Sequence, residues 1–415
     1  MSGNGGISLP RKMAIGLVAG AGLGVAAHVW AAGEPWLESL IANGTEPAGQ
    51  LFLRMLFALV IPLIVSALPL GVTGLGDLGR LGRLGLRTLA YTVTTSAIAV
   101  ALGVTLVNVF APGAGVAARA RTGELAAAPA PAPAGDGFGI DFFLELVPRN
   151  PVEAMATGDM LAVMVFSLFL GIGLAATRSD GARRLEEVLQ GVYDVVTTLL
   201  GWVIRLAPYG VACLLFTATA RMGFDVLRDL AAYVGVVLAA LAIHMFVVYS
   251  LAVRWLGRMR PLDFFRGSRE AMITAFSTAS SNATLPTALR VADRNLKLPE
   301  HVSHFVLTIG STTNQHGTAL FEGVTVLFLA QVAGVELTIA QQLGVSAICV
   351  LGGIGTAGVP AGSLPVIAMI LGMVGVPPES IGLVLGVDRF LDMCRTTVNV
   401  TGDLAAAVVV ARYEK

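Results

Sequence analysis

The chain has 415 residues, 55% of them hydrophobic and 13% charged, with a mean hydropathy of +0.78 and no net charge. So little charge cannot clothe a water-soluble domain, whereas a surface facing lipid needs no such cover. Zero net charge leaves no basic footprint for nucleic acid, and the three cysteines (Cys213, Cys349 and Cys394) lack metal or disulfide spacing.

Arg11 and Lys12 ahead of an apolar run resemble the start of a signal peptide. Residues 13–32 are long for one, however, and no clear cleavage site follows, so they are expected to be a retained first span. A helical span needs roughly 20 apolar residues, and further spans are expected at 50–74, 88–111, 160–176, 190–219 and 229–253. Arg80, Arg83 and Arg87 follow the second span, Arg178, Arg183 and Arg184 the fourth, and Arg254, Arg258 and Arg260 the sixth. The loop at 33–49 has glutamates and no basic residue, so even-numbered spans end in the cytoplasm and the N-terminus is inside. The Ala/Pro/Gly-rich stretch 113–140, within a broader segment 113–159, reads as a periplasmic linker.

Residues 262–291 are apolar but broken by the polar run 277–284, with Pro286 behind it and arginines on both flanks. Basic residues on both sides predict a re-entrant hairpin entering from the cytoplasm. A seventh span at 303–331 leads outward. Residues 340–373, broken by the glycine-rich run 352–363 and free of flanking basic residues, predict a second hairpin dipping in from outside. The last span, 379–412, ends at Arg412 and Lys415, which puts both termini in the cytoplasm. Two interrupted segments entering from opposite faces point to an inverted-repeat transporter with its site near the midplane. Irregular backbone at that depth needs protein or water around it, and helix N-termini at such tips can present N–H groups to an anion. Flexible glycine-rich loops are the plainer reading.

Polar groups inside the last spans carry the chemistry. Asp388, Asp392, Arg395, Asn399 and Asp403 are spaced mostly by three or four, so most share one helical face. Charges at membrane depth cost several kcal/mol and mark function by default. A structural salt-bridge ladder explains Asp392 with Arg395 but gives Asn399 and Asp403 no reason. The seventh span offers Thr312, Thr313, Asn314, Gln315, His316, Gly317, Thr318 and Glu322. These include hard oxygen donors suited to an alkali cation, with Gly317 expected to permit local unwinding. A kinked helix with hydroxyls bonded back to the backbone is the alternative.

Four motifs resemble the dicarboxylate/amino acid:cation symporter (glutamate transporter) family. The run from Asp392 through Arg395 and Asn399 to Asp403 matches its last-span motif, and residues 314–318 resemble its unwound Asn-Met-Asp-Gly-Thr. Residues 280–286 resemble its serine-rich first hairpin tip and 355–360 its second, and the likeness extends over essentially the whole chain. The resemblance implies an all-α integral membrane protein with eight transmembrane helices and two re-entrant hairpins. It further implies inverted repeats, elevator-type movement, a homotrimer and surrounding lipid. Residues 1–87 and 160–228 would be scaffold. Residues 88–112 and 229–415 would be the moving transport part.

By the same resemblance the cargo is an acidic amino acid. Arg395 would take its side-chain carboxylate, Asp392 its ammonium and Asn399 its main-chain carboxylate. Ser280, Ser281, Thr318, Val359 and Thr396 would complete the pocket. One sodium site would use Gly310, Asn314, Asn399 and Asp403, and a second Thr312, Gly353, Ile354 and Thr356. A third site would retain only Thr95 and Ser96. There His316 replaces an aspartate and Thr92 often a tyrosine, so that site is expected to be lost or altered. His316 either carries a proton in the missing cation's place or is neutral and merely hydrogen-bonded. Glu322 stands where proton-coupled relatives have glutamate, so a buried carboxyl there could carry H+ alongside Na+. Ala279 and Met393 occupy both positions where relatives carry an arginine near the substrate aspartate, which leaves Asp392 freer. Arg389 is the nearest substitute, with a spacing that points it elsewhere on the helix.

Rival readings are a C4-dicarboxylate symporter and a substrate-gated anion channel on the same fold. No enzymatic constellation is present. The dinucleotide-like pattern at 74–79 follows a span, not a strand, and reads as a cytoplasmic turn. His28 and His244 lack partners at ligand spacing and are read as packing residues.

Overall fold

The computed structural model describes residues 9–73, 82–115, 147–177, 179–355 and 363–414, and among these all regular secondary structure is helical. The turn at 74–79, the greater part of the linker (116–146) and the second hairpin tip (356–362) lie outside the described residues.

The first span is α1 (Leu9–Ala31). A short α2 (Pro35–Leu40) and a π-helical turn lead into α3 (Glu46–Phe57), and α4 (Val60–Thr73) follows. The expected span 50–74 is therefore two helices with a step at Ala58 and Leu59. Pro62 lies in the first turn of α4, where a missing N–H costs nothing. Next come α5 (Gly82–Phe110), α6 (Pro151–Thr157), α7 (Met160–Ala176) and α8 (Asp180–Met222). Asn150, Asp159 and Ser179 cap α6, α7 and α8 with side-chain oxygens. α8 starts ten residues before the expected span, because its first turns are polar and hydropathy does not mark them. α9 (Asp225–Ile243) continues to Leu256 through two π-helical turns at His244–Val248 and Ala252–Leu256.

The two broken segments are helix pairs. α10 (Pro261–Thr278) and α11 (Ser281–Arg290) pack on each other, and Arg290 of one pairs with Glu270 of the other. α12 (Glu300–Thr313) and α13 (His316–Ala333) form one interrupted helix. α14 (Ile339–Gly355) and α15 (Leu364–Met373) flank the second break, and a 3₁₀ turn at Pro378–Leu383 precedes α16 (Leu385–Tyr413).

Six helical stretches among the described residues are long and apolar enough to cross a membrane. α7 has only 17 residues, and α16 is long but carries a row of charged and polar side chains. α1, α3, α4 and α7 pack around or beside α8, whereas α13 is wrapped by α5, α9, α14, α15 and α16. Close approach of α1 to α8 depends on Gly16, Gly20 and Gly24. A Cβ there would lie 2.3 Å from Pro208 O, 2.3 Å from Ala212 O and 2.0 Å from Thr219 Oγ1. Lipid supplies no hydrophobic drive between helices, so such small-residue stripes carry the packing.

Candidate functional site

Two breaks in regular structure among the described residues meet α16. The chain leaves helical geometry at Asn314 (φ −103°, ψ 59°) and Gln315 (φ −98°, ψ 56°) between α12 and α13. Gly317, expected to permit this unwinding, instead lies inside the first turn of α13. Its lack of a side chain serves packing, since a Cβ would meet Arg395 O at 2.7 Å. The break itself needs no glycine because both φ values are negative. On the first hairpin, Ala279 takes a left-handed conformation (φ +49°) and Ser280 caps α11 by accepting the Ala283 N–H.

Orphaned backbone groups at the α12–α13 break are met by side chains from α16. Asn399 Oδ1 accepts the Gly317 N–H at 2.7 Å, and its Nδ2 donates to Gln315 Oε1 (2.5 Å) and Thr318 Oγ1 (3.0 Å). Gln315 Nε2 donates to Ser311 O at 2.9 Å and reaches Ser281 Oγ of the first hairpin at 3.5 Å. Gln315 thus ties three elements together. It was not among the expected site residues, although its place inside the 314–318 motif was a signal for it.

Arg395 is 2% exposed and fully engaged. Its Nη1 donates to Asp388 Oδ1 at 2.8 Å, its Nη2 lies 3.1 Å from Asp392 Oδ1, and its guanidinium stacks 4.3 Å from the centre of the Phe321 ring. A buried guanidinium is tolerable only with such pairing. Asp392 is also flanked by Arg389, whose Nη1 is 3.5 Å from Asp392 Oδ2. Two expectations are corrected here. Arg389 does turn towards Asp392, because a separation of three brings both to one helical face, and Asp392 is not freer for lack of the other arginines. Thr396 is buried one residue beyond Arg395.

Three residues of the first cation set, Gly310, Asn314 and Asp403, come together, while the Asn399 side chain is engaged with Gly317, Gln315 and Thr318. Asn314 Nδ2 donates to Asp403 Oδ1 at 2.8 Å, and a Cβ on Gly310 would sit 2.5 Å from that same oxygen. Asn314 Oδ1 is buried with no hydrogen-bond partner among the described residues. An orphaned amide oxygen beside a buried carboxylate is a hard-oxygen donor set suited to an alkali cation. The second set is visible in part. Thr312 lies at the end of α12 with its hydroxyl bonded to Ile309 O, and Gly353 packs against Ala319 and the Gln315 carbonyl. Ile354 is in α14, while Thr356, like Val359 of the substrate set, lies outside the described residues.

His316 is wholly buried between two hydroxyls. Its Nε2 is 2.7 Å from Thr95 Oγ1 and its Nδ1 is 2.9 Å from Tyr249 OH. Thr95 also reaches Tyr91 O (2.5 Å), and Tyr249 also reaches Val398 O (3.1 Å). If both hydroxyl protons go to those carbonyls, both ring nitrogens must donate and the ring is an imidazolium. If one hydroxyl turns to the ring, it is neutral. Tyr91 and His244 pack beside the ring, at 6.2 and 5.6 Å between centroids. His244 was read as a packing residue and does pack, edge-on to Tyr249 as well as to His316. Tyr249 and His244 are five apart, and only the π-helical turn puts them on one face. Ser96 is buried nearby on α5. Glu322 is wholly buried, with Oε2 facing the backbone of Gly352 in α14.

A bundle of apolar helices closed around an interrupted helix, with charged and amide side chains converging on the break, defines a multi-pass membrane transporter for a small charged solute. The chain belongs to the sodium:dicarboxylate symporter family, whose sequence pattern matches residues 9–413. It is 33% identical over 408 residues to the proton/sodium-glutamate symport protein of Bacillus subtilis (strain 168), covering 98% of this chain and 92% of that one. It is also 33% identical over 411 residues to the proton/glutamate-aspartate symporter of Escherichia coli (strain K12), covering 98% and 93%. A C4-dicarboxylate transport protein of Anaeromyxobacter sp. (strain K) is 30% identical over 371 residues, covering 89% and 84%.

Proposed function

We propose that this protein is a secondary symporter of the inner membrane that imports an acidic amino acid, aspartate or glutamate, coupled to sodium and to protons. The observation that carries the reading is Arg395, buried and paired at the α12–α13 break beside Asn399 and Thr318. The Bacillus subtilis relative is named a proton/sodium-glutamate symport protein and the Escherichia coli relative a proton/glutamate-aspartate symporter, which supports the cargo and both coupling ions.

In this reading the substrate exchanges bonds with the protein. Its side-chain carboxylate takes over Arg395 from Asp388, its ammonium binds Asp392, and its main-chain carboxylate takes the Asn399 amide from Gln315. Thr318, Thr396, Ser280, Ser281 and Val359 close the pocket. Gly310, Asn314, Asn399 and Asp403 hold one sodium, and Thr312, Gly353, Ile354 and Thr356 a second, whose charge offsets the incoming anion. The third site is replaced by the His316 ring between Thr95 and Tyr249, and Glu322 carries a proton. The helix pairs at 262–291 and 340–373 act as re-entrant gates. α5 and α9–α16 move as an elevator against a scaffold of α1–α4, α7 and α8, in a trimer with both termini cytoplasmic. The exposed apolar faces of α1 and α8, including Val18, Leu23, Val195 and Trp202, suit lipid or a second copy.

Proteoliposomes loaded with independent sodium and proton gradients, fed labelled aspartate, test this. Sodium-driven accumulation that vanishes in Arg395→Ala is expected; equal flux with no gradient would indicate a pore and end the reading. For coupling, His316→Asp is expected to steepen the sodium dependence, and an unchanged ion stoichiometry would remove that assignment. Uptake insensitive to pH in both wild type and Glu322→Gln would remove the proton.

A further inference from the structure

Arg389 is an unexpected residue where it lies. It borders a small cavity walled by Met13, Phe52, Leu56, Ile204 and Ala207 from α1, α3 and α8, with Asp388 and Asp392 of α16 as the other charged groups in its lining. A guanidinium in such surroundings is costly unless something charged requires it. Its Nε is buried with no hydrogen-bond partner among the described residues, and its Nη1 reaches forward along α16 to Asp392.

The consequence is a charge count. Asp392 has a guanidinium near each oxygen, Arg395 Nη2 at 3.1 Å from Oδ1 and Arg389 Nη1 at 3.5 Å from Oδ2. Arg395 in turn has Asp388 on its other nitrogen at 2.8 Å. Two carboxylates and two guanidiniums make a neutral quartet on one helix face. Without Arg389 the remaining three would carry a net negative charge beside the pocket. Only a cationic group on the substrate, the ammonium of an amino acid, would relieve it. With Arg389 present, Asp392 keeps a guanidinium partner even when the substrate lacks an ammonium.

We propose that Arg389 is a specificity-determining residue: by neutralising Asp392 it lets the pocket accept a C4-dicarboxylate as well as an acidic amino acid. Specificity is a difference between two affinities, and Arg389 removes the penalty that would otherwise fall on one of them. The proposal rests on the pocket assigned under Proposed function, in which Asp392 faces the ammonium.

The test compares succinate with aspartate in sodium-loaded proteoliposomes of wild type, Arg389→Gln and Arg389→Lys. In wild type, succinate should compete with labelled aspartate. In Arg389→Gln the ratio of succinate inhibition constant to aspartate KM should rise about tenfold or more, and Arg389→Lys should restore it. A residue that only fills space would shift both substrates together. An unchanged ratio in Arg389→Gln overturns the proposal. Should that variant not fold, thermal shift of the wild type in sodium still decides: stabilisation by aspartate but none by succinate overturns it, and stabilisation by both supports it. A wild type that binds neither overturns the pocket reading first and this inference with it.

Discussion

The α1–α8 pair and the crossing of α12, α13 and α16 solve the same problem in opposite ways. Only 22% of the apolar stretch of α1 is buried, and the helix meets α8 through glycines set against backbone and the Thr219 hydroxyl. In the interrupted helix Glu300–Ala333 the figure is 83%, and the polar groups of its break are answered by Asn399 and Gln315. Lipid punishes unsatisfied polar groups and rewards none, so the first region keeps few, with Thr219 and His28 bonded to main-chain oxygens across the pair, and the second brings many together. Fixed backbone contacts suit a static support, whereas side-chain pairings can be exchanged with a ligand.

Changes that strand a buried charge or drive side chain into backbone should be the largest. Arg395→Ala leaves Asp388 and Asp392 buried without their main partner, so a loss of about 3–5 kcal/mol of stability is expected together with loss of uptake. Adding Asp388→Asn and Asp392→Asn should restore the thermal midpoint but not transport, which separates the structural from the functional part. Gly20→Leu forces a side chain into Ala212, where even a Cβ would be 2.3 Å from a main-chain oxygen. The α1–α8 pair should then part, seen as a thermal midpoint lowered by several degrees and aggregation on gel filtration.

Smaller effects follow within the crossing. Asp403→Asn removes the charged oxygen beside Asn314 and should raise the sodium needed for half-maximal uptake about tenfold or more, with folding retained. Gln315→Met keeps the volume but removes one of the three bonds Asn399 makes at the break and the Gln315 bond to Ser311 O, and a change in substrate KM of about threefold is expected from these two lost hydrogen bonds. The smallest belongs to the lipid-facing side. Leu23→Ala on the exposed face of α1 should change stability by less than about 0.5 kcal/mol. A large loss there would mean that this face is covered by another copy instead of lipid.

The apolar runs, the break within 277–284 and the charged last span were legible because each depends on residues close together in the chain. α7 spans the expected residues 160–176, and hydropathy missed only what is polar or stepped: the first turns of α8 and the kink ahead of α4. Of the partners of the site residues, the Asp392–Arg395 pair was legible from its spacing and the more distant ones were not. Asp388 reaches Arg395 across seven residues, Gln315 finds Asn399 across 84, and Tyr249 meets His316 across 67. The unwinding point was placed at Gly317 on conformational grounds, while the structure puts it at Asn314 and Gln315, where α16 supplies the lost hydrogen bonds.

By itself the sequence determined that this is a membrane-embedded helical chain with ionisable residues too costly to be idle at that depth, because hydropathy and helical spacing are local properties. Only the tertiary structure decided which charge answers which. A buried ion pair is set by distances between elements, and a π-helical turn in α9 or an amide at a helix break can shift those distances without changing the hydropathy of any segment.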